Sequence, residues 1–333
     1  MDEFAGGNYD AEEQIAAFYA MIVDKLGDDV TLIAGARFES TSINYTGQVF
    51  DEEEDELPSD IGSVSGGNDY YNILPNLTLQ WDVNDELNFN FAFTQSIARP
   101  SYYDLVPYEY SNSDDQELAL GNPDLKASLS TNFDIMGEWY FGGLSLLSFG
   151  YFSKDIKDWI YQYTTNNYTY AGVNGYELSQ LRNGEKASVS GFELGFQTKF
   201  LKNFTFMGNY TSTDSSTNNV EGRDDVPLTG QVDDMYNLSL AFENSKFFVR
   251  ASMNYASEAL DELSGDAYED RYYDEQTFVD VNANYKVNDK LSIFAEGKNL
   301  TNQPLRYYQG IQQRTMQIEY YNLSWTLGLK YDF

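Results

Sequence analysis

Apolar and polar residues alternate along most of this chain with a period of two. Near the end, Trp325, Leu327, Leu329, Tyr331 and Phe333 share one face, and Ser324, Thr326, Gly328, Lys330 and Asp332 share the other. Leu87, Phe89, Phe91 and Phe93 alternate with Asn88, Asn90, Ala92 and Thr94, and Tyr236, Leu238, Leu240 and Phe242 with Asn237, Ser239 and Ala241. The same rhythm runs through Leu77–Val83, Phe192–Gln197, Phe247–Tyr255 and Val279–Lys286. Side chains of an extended strand point alternately to its two faces, so this repeat predicts strands with one apolar and one polar side. About 13 such strands are expected, spaced for antiparallel hairpins.

The connections alternate in length. Tight turns are predicted at Asn84-Asp85, Gly142-Gly143, Lys202-Asn203, Asn244-Ser245 and Asn288-Asp289. Long polar connections are predicted around 47–68, 100–124, 164–185, 211–229, 257–275 and 302–317. Short turns at one end and long loops at the other fit a transmembrane β-barrel. One segment reads two ways. Ile15, Phe18, Ile22 and Leu26 fit a helical stripe with Asp10 and Glu13 as a capping box, while Ile15, Ala17, Tyr19, Met21 and Val23 fit a strand. The Gly27-Asp28-Asp29 turn before Leu32, Ala34, Ala36 and Phe38 favours a hairpin.

A soluble β-sandwich would also alternate, burying its apolar faces between two sheets. Aromatic residues near predicted strand ends (Tyr70, Tyr71, Trp81, Trp139, Tyr140, Trp159 and Tyr161) favour a barrel with girdles at the lipid boundary. No apolar run of about 18 residues marks a transmembrane helix, but closed barrels also satisfy their backbone in lipid. Met1-Asp2-Glu3-Phe4 has the look of no signal peptide.

Composition narrows the chemistry. The 333 residues include no Cys and no His, which removes thiolate and imidazole catalysis and the usual zinc ligands. A formal net charge of −33 repels nucleic-acid phosphates. The 28 Tyr and 22 Phe suit pleated surfaces.

At this point the chain resembles the TonB-dependent receptors of the bacterial outer membrane, as found in Bacteroidetes and many Proteobacteria. Leu32–Glu39 is similar to the family's "aGxRxE" strand, and Tyr71–Leu77 to its "LPs" strand entry. Ser96-Ile97-Ala98-Arg99-Pro100 with Leu105-Val106-Pro107 resembles the "RP…P" stretch, and Gly121–Lys126 the "GNPxLkP" motif, with Ala127 at the final proline. Asn132–Tyr140, Phe152–Ile160, Gly191-Phe192-Glu193 and Lys298–Pro304 resemble further elements in the family's order. The resemblance implies a barrel of about 22 strands, of which about 13 are expected here as an unclosed part. Residues 1–333 are therefore expected to be the C-terminal part of such a barrel, with plug domain and signal peptide outside the chain. It further implies an outer-membrane receptor that takes up a scarce bulky nutrient (siderophore, cobalamin or oligosaccharide). The implied partners are outer-membrane lipid, the TonB system acting through a plug, the barrel-assembly machinery reading a C-terminal signal at Phe333, and a surface lipoprotein. No cofactor, metal or nucleic acid is expected.

Ligand contact is expected from the loops. Arg99, Tyr102, Tyr103, Tyr108, Tyr110, Tyr168, Tyr170, Tyr272 and Tyr273 are the candidates. Tyrosines there can stack on a sugar or an aromatic siderophore, or sit in the girdle. Arg99 precedes Pro100 at a strand-to-loop junction and also suits a local structural role; Arg182, Arg223, Arg250, Arg271, Arg306 and Arg314 are further guanidinium forks for an anion. The run Asp51–Asp55 reads as a solvated loop rather than a calcium site. Asp134 with Glu138, or Glu193, would be needed for a glycosidase, but carboxylates are ordinary filling on the polar face of a barrel. A plugless passive porin and a soluble acidic adhesin or carbohydrate-binding sandwich are the alternative readings.

Overall fold

A computed structural model describes residues 8–51 and 62–333. Thirteen strands form one antiparallel wall: β1 (Tyr9–Lys25), β2 (Val30–Asp51), β3 (Gly62–Asn84), β4 (Leu87–Ala98), β7 (Ser128–Tyr140), β8 (Leu146–Lys157), β11 (Lys186–Phe200), β12 (Phe204–Asn218), β13 (Asp234–Glu243), β14 (Phe247–Ala256), β17 (Gln276–Lys286), β18 (Leu291–Lys298) and β21 (Ser324–Tyr331). Among the described residues the connections hold one short helix, α1 (Tyr102–Leu105), and eight strands: β5 (Glu109–Asn112), β6 (Glu117–Leu120), β9 (Ile160–Tyr170), β10 (Val173–Asn183), β15 (Ala259–Ser264), β16 (Arg271–Tyr273), β19 (Leu305–Gln309) and β20 (Thr315–Glu319). Each wall strand pairs with its neighbour in chain order. Among the described residues β1 pairs only with β2, and β21 only with β18. The wall is an unclosed partial barrel.

The register aligns the apolar sides of all the strands. Leu79 lies opposite Leu32 on β2 and Phe91 on β4. Leu240 faces Phe206 and Ala251, continuing to Val281 and Gly297. This face is bare: Phe149 (46%), Leu238 (40%) and Leu240 (45%), all well inside the sheet, keep close to half of their surface exposed. An apolar face of this extent is not one that water solvates, so it is a face made to be covered. Among the described residues no helix is long and apolar enough to cross a membrane, which says nothing of strands that cross one.

The segment with two readings is strand β1, paired with β2 through all 17 of its residues. It carries apolar side chains on both faces, Phe18 and Ile22 on the bare one and Ile15, Tyr19, Met21 and Val23 on the other. That double apolarity produced the spurious helical stripe.

At one end the hairpins are tight, and three use the same local device. Asn84 Oδ1 accepts from the backbone N–H groups of Glu86 (2.9 Å) and Leu87 (3.0 Å). Asn244 does so for Lys246 and Phe247, and Asn288 for Lys290 and Leu291. Asparagine mimics a backbone turn in this way, which is why these positions read as turns. Gly142 (φ +57°) and Gly143 (φ +74°) form a fourth in left-handed geometry.

At the other end the expected long connections are more ordered than their composition suggests. The stretch 47–68 is mostly strand, because β2 runs to Asp51 and β3 starts at Gly62. At about 3.3 Å per residue, the 22-residue β2 far exceeds an apolar core of about 30 Å. The rest of the acidic run, Glu52–Asp55, lies outside the described residues.

Candidate ligand-facing loop surface

The connections at the long end build a second ribbon of strands. β5 pairs in parallel with the end of β2, then antiparallel with β6; β6 pairs in parallel with β10, and β10 antiparallel with β9. β9 joins β15 in parallel, and β15, β16, β19 and β20 follow antiparallel. The β9–β15 pairing passes over β11, β12, β13 and β14 in the wall order. Loops from distant hairpins are thus joined directly to each other.

The ribbon packs on the polar face of the wall through buried clusters. Ile43 and Tyr45 of β2 are covered by Leu105, Val106 and Leu125. Trp159, Tyr161, Ala187, Val220, Val226, Leu260 and Leu263 form another. Trp159 and Tyr161, expected in a girdle, are 4% and 5% exposed here. An aromatic beneath a loop and an aromatic at a lipid boundary look alike in sequence. Tyr71, Trp81 and Trp139 do lie exposed on the bare face, and Tyr70 shares the covered face with Thr41.

The Gly121–Lys126 motif pins the first of these loops. Asn122 donates from Nδ2 to the Leu181 carbonyl (2.8 Å), and Asn183 accepts from the Lys126 N–H (2.8 Å). A Cβ at Gly121 would fall 1.8 Å from the Val106 carbonyl oxygen, so the close approach requires glycine. In Lys298–Pro304, Asn299 Oδ1 accepts from the Gln303 N–H (2.8 Å), while its own N–H donates to Asp280 (2.8 Å). Both motifs hold corners of the chain.

The nine candidate residues fall into separate groups. Arg99 donates to Glu39 (2.6 Å) and Thr41 (3.1 Å) and lies 3.7 Å from Glu13. Tyr102 donates to Glu13 (3.2 Å) beside it, and Tyr103 stacks on Tyr108 with centroids 4.5 Å apart. Burial pushes the Tyr108 hydroxyl far above its usual range, and the neighbouring Tyr103 adds to this. Tyr110 lies in β5 opposite Ala119. Tyr170 donates to Glu109 and packs edge-on to Tyr176 at 5.3 Å, whereas Tyr168 in the same strand is exposed. Tyr272 and Tyr273 sit apart from these, stacked against Tyr308 (5.3 Å) and Tyr307 (4.9 Å) of β19. Phe333 follows β21 and is fully exposed.

Sequence reasoning named the arginines but missed their partners. Arg182 bonds to Glu221 (2.8 Å) and lies 3.9 Å over the Tyr163 ring. Arg223 grips Asp270 with both nitrogens, at 2.9 and 2.6 Å. Arg271 reaches Asp261 (2.5 Å) and Glu262 (2.8 Å), and Arg306 reaches Asp274 (2.9 Å). Arg314 lies over the Tyr268 ring (4.0 Å) and donates to the Tyr268 carbonyl (2.8 Å) and to Gln309 (2.6 Å). Arg250 is a wall residue on the covered face, opposite Asn282. Asp134, on β7, and Glu193, on β11, share a recess of about 200 Å³ with Lys154 on that face. Among the described residues no three acidic groups are gathered to hold a metal ion.

A wall with one bare apolar face, short turns at one end and packed loops at the other defines a membrane barrel of the receptor type. The family described as "TonB dependent receptor-like, beta-barrel" matches residues 3–300, and the chain belongs to it. Its fold is similar to the ferric-catecholate import receptor Fiu of E. coli K12 (16% identity, TM-score 0.73, 99% of this chain and 46% of that one). It is also similar to the ferric yersiniabactin uptake receptor FyuA of Yersinia pestis (14%, TM-score 0.70, 98% and 46%) and to the copper transporter OprC (12%, TM-score 0.69, 97% and 48%). The chain spans about half the length of these solved structures. Among curated proteins nothing matches.

Proposed function

We propose that this chain forms wall and mouth of a Gram-negative outer-membrane receptor that captures a scarce, bulky nutrient and imports it with energy from TonB. The observation that carries the reading is the division of surfaces. The apolar face is bare over its whole width, as lipid contact requires, while the loops fold onto the opposite, polar face. Nutrients of the siderophore, cobalamin or oligosaccharide kind suit a mouth rich in aromatic and hydrogen-bonding side chains. The energy coupling enters through a plug domain, folding through the barrel-assembly machinery acting on Phe333, and a surface lipoprotein is a further partner.

Tyr102, Tyr103 and Tyr168 are the candidates that stay 37–43% exposed, and they are assigned to ligand stacking. Arg99, Tyr108, Tyr110, Tyr170, Tyr272 and Tyr273 are assigned to the shape of that surface. Uptake of radiolabelled nutrient by cells with and without functional TonB tests the reading. Uptake abolished by TonB loss supports it, and uptake indifferent to TonB makes the protein a passive porin.

A further inference from the structure

The bare face of the wall is uneven. Gly137, Gly208 and Gly297 lie on it, opposite Phe89, Phe196 and Trp325 of neighbouring strands. Two of these gaps are filled. A Cβ at Gly137 would fall 2.7 Å from the Phe89 ring, and one at Gly297 2.6 Å from the Trp325 ring. Rings laid over strand glycines in this way recur in sheets. Gly208 has no such lid. A Cβ there would first meet a Leu238 methyl (3.0 Å) and the edge of the Phe206 ring (3.4 Å). A recess of about 550 Å³ remains, lined by Leu194, Phe196, Phe206, Tyr210, Tyr236 and Leu238.

This recess is apolar. The Tyr210 hydroxyl is already bonded to Asp234 (2.5 Å), and Asn209, at its base, bonds to Asn237 on the opposite face (2.8 Å). Gly208 is four residues into β12, about 13 Å along the strand at about 3.3 Å per residue. A hydrocarbon layer is about 30 Å thick, so the recess opens into its short-turn half, among phospholipid acyl chains. Below it two turns adjoin, 201–203 between β11 and β12 and 244–246 between β13 and β14. The Glu243 N–H donates to the Asn203 carbonyl between them (2.8 Å). These turns hold Lys202 and Lys246, both exposed. Among the described residues neither ammonium has an ion-pair partner.

We infer that this part of the wall is a phospholipid seat, with one acyl chain over Gly208 and the headgroup phosphate at Lys202 and Lys246. A chain in the recess gains the dispersion contacts that an unfilled gap forfeits. Each lysine favours an anionic headgroup by roughly fivefold. Such a seat needs the wall to span a membrane, as the receptor reading above holds, and is independent of the nutrient and of TonB coupling.

The test uses the full protein in phosphatidylethanolamine bilayers holding a trace of phosphatidylglycerol with a diazirine in its acyl chain. After illumination, cross-linked residues are mapped by mass spectrometry. Labelling of Phe196, Phe206 and Leu238 is expected to exceed severalfold that of Phe91, which lies on the same face four residues into β4. Gly208→Phe, which fills the recess, is expected to bring it down to the Phe91 level, with heat-modifiable migration as the check that the barrel has formed. Lys202→Gln with Lys246→Gln is expected to lower it at least about fivefold. Even labelling of the bare face in the unsubstituted protein overturns the seat and leaves the membrane wall standing, as does labelling indifferent to the filled recess or to both lysines. Labelling absent from the bare face altogether would sink the seat and the membrane reading together.

Discussion

Asp270 is completely buried, and both of its carboxylate oxygens are held by the guanidinium of Arg223, 47 positions earlier in the chain. The pair ties the 219–233 connection to the 257–275 connection, and Asp270 also accepts from the Ser264 N–H (3.0 Å). Removing Arg223 leaves a buried charge without its counter-ion, which costs about 3–5 kcal/mol in comparable pairs. Arg223→Ala should therefore open these two loops to protease and to hydrogen exchange while the wall stays protected. Arg223→Ala combined with Asp270→Asn should recover part of the protection. Unchanged exchange in both loops after the single substitution would contradict the role given to the pair.

Trp159 lies so close to Gly184 that a Cβ there would fall 2.1 Å from Nε1. The Gly184 N–H donates to the Trp159 carbonyl (2.7 Å), so backbone and ring are fixed together. Gly184→Ala should push the indole out of its cluster with Tyr161, Leu260 and Leu263, shifting its fluorescence to the red. Buried-core disruptions of this kind cost about 1–3 kcal/mol. An unshifted spectrum, read in a variant whose other three tryptophans are Phe, would mean that the indole has room the structure denies it.

Burial, and then the neighbouring Glu117 and Glu262, raise the Glu177 carboxyl above the usual carboxylate range. A carboxyl raised on folding contributes most in acid, below its unfolded value of about 4.3. That contribution is lost as pH climbs through the raised value, so ionised Glu177 weighs against the loop fold at neutrality. Glu177→Gln should slow hydrogen exchange in β10 at pH 7 and leave it unchanged at pH 3. Faster exchange at pH 7 would show that the carboxylate is stabilised there.

The wall was legible because period two is a local signal. Leu238 and Leu240 against Asn237 and Ser239 need only one strand to be read, and Asn84, Asn244 and Asn288 announce their turns through bonds two and three residues away. The loop ribbon was hidden because its bonds are remote. Leu263 pairs with Tyr163, and nothing near either residue distinguishes a parallel loop strand from an irregular connection. The candidate site was half legible for the same reason. Arg99 was recognised at its strand end, but Glu39 as its partner follows only from the register that brings β1, β2 and the 99–127 loop together. Tyr272 and Tyr273 read as loop tips, yet stack on β19 from a connection further on.

Leu240 and Ser239 are chain neighbours on opposite faces of β13, and the two faces set different costs. Leu240→Arg should destabilise the folded barrel by about 2–4 kcal/mol if it lies near the bilayer midplane, whereas Ser239→Arg on the polar face should cost far less. Heat-modifiable migration in detergent, followed against urea, reads the difference. Equal losses at the two positions would mean that both faces are buried in protein.

Lipid contact at the bare face can be measured directly, because the chain contains no cysteine to compete for a label. Single cysteines at 240 and 239 would carry a spin label in the full protein reconstituted in lipid bilayers. The label at 240 is expected to collide with lipid-dissolved oxygen and to be shielded from a water-soluble nickel chelate. At 239 the balance should tilt toward the chelate. A label at 240 that meets neither oxygen-rich lipid nor water, but is immobilised against protein, would contradict the membrane barrel.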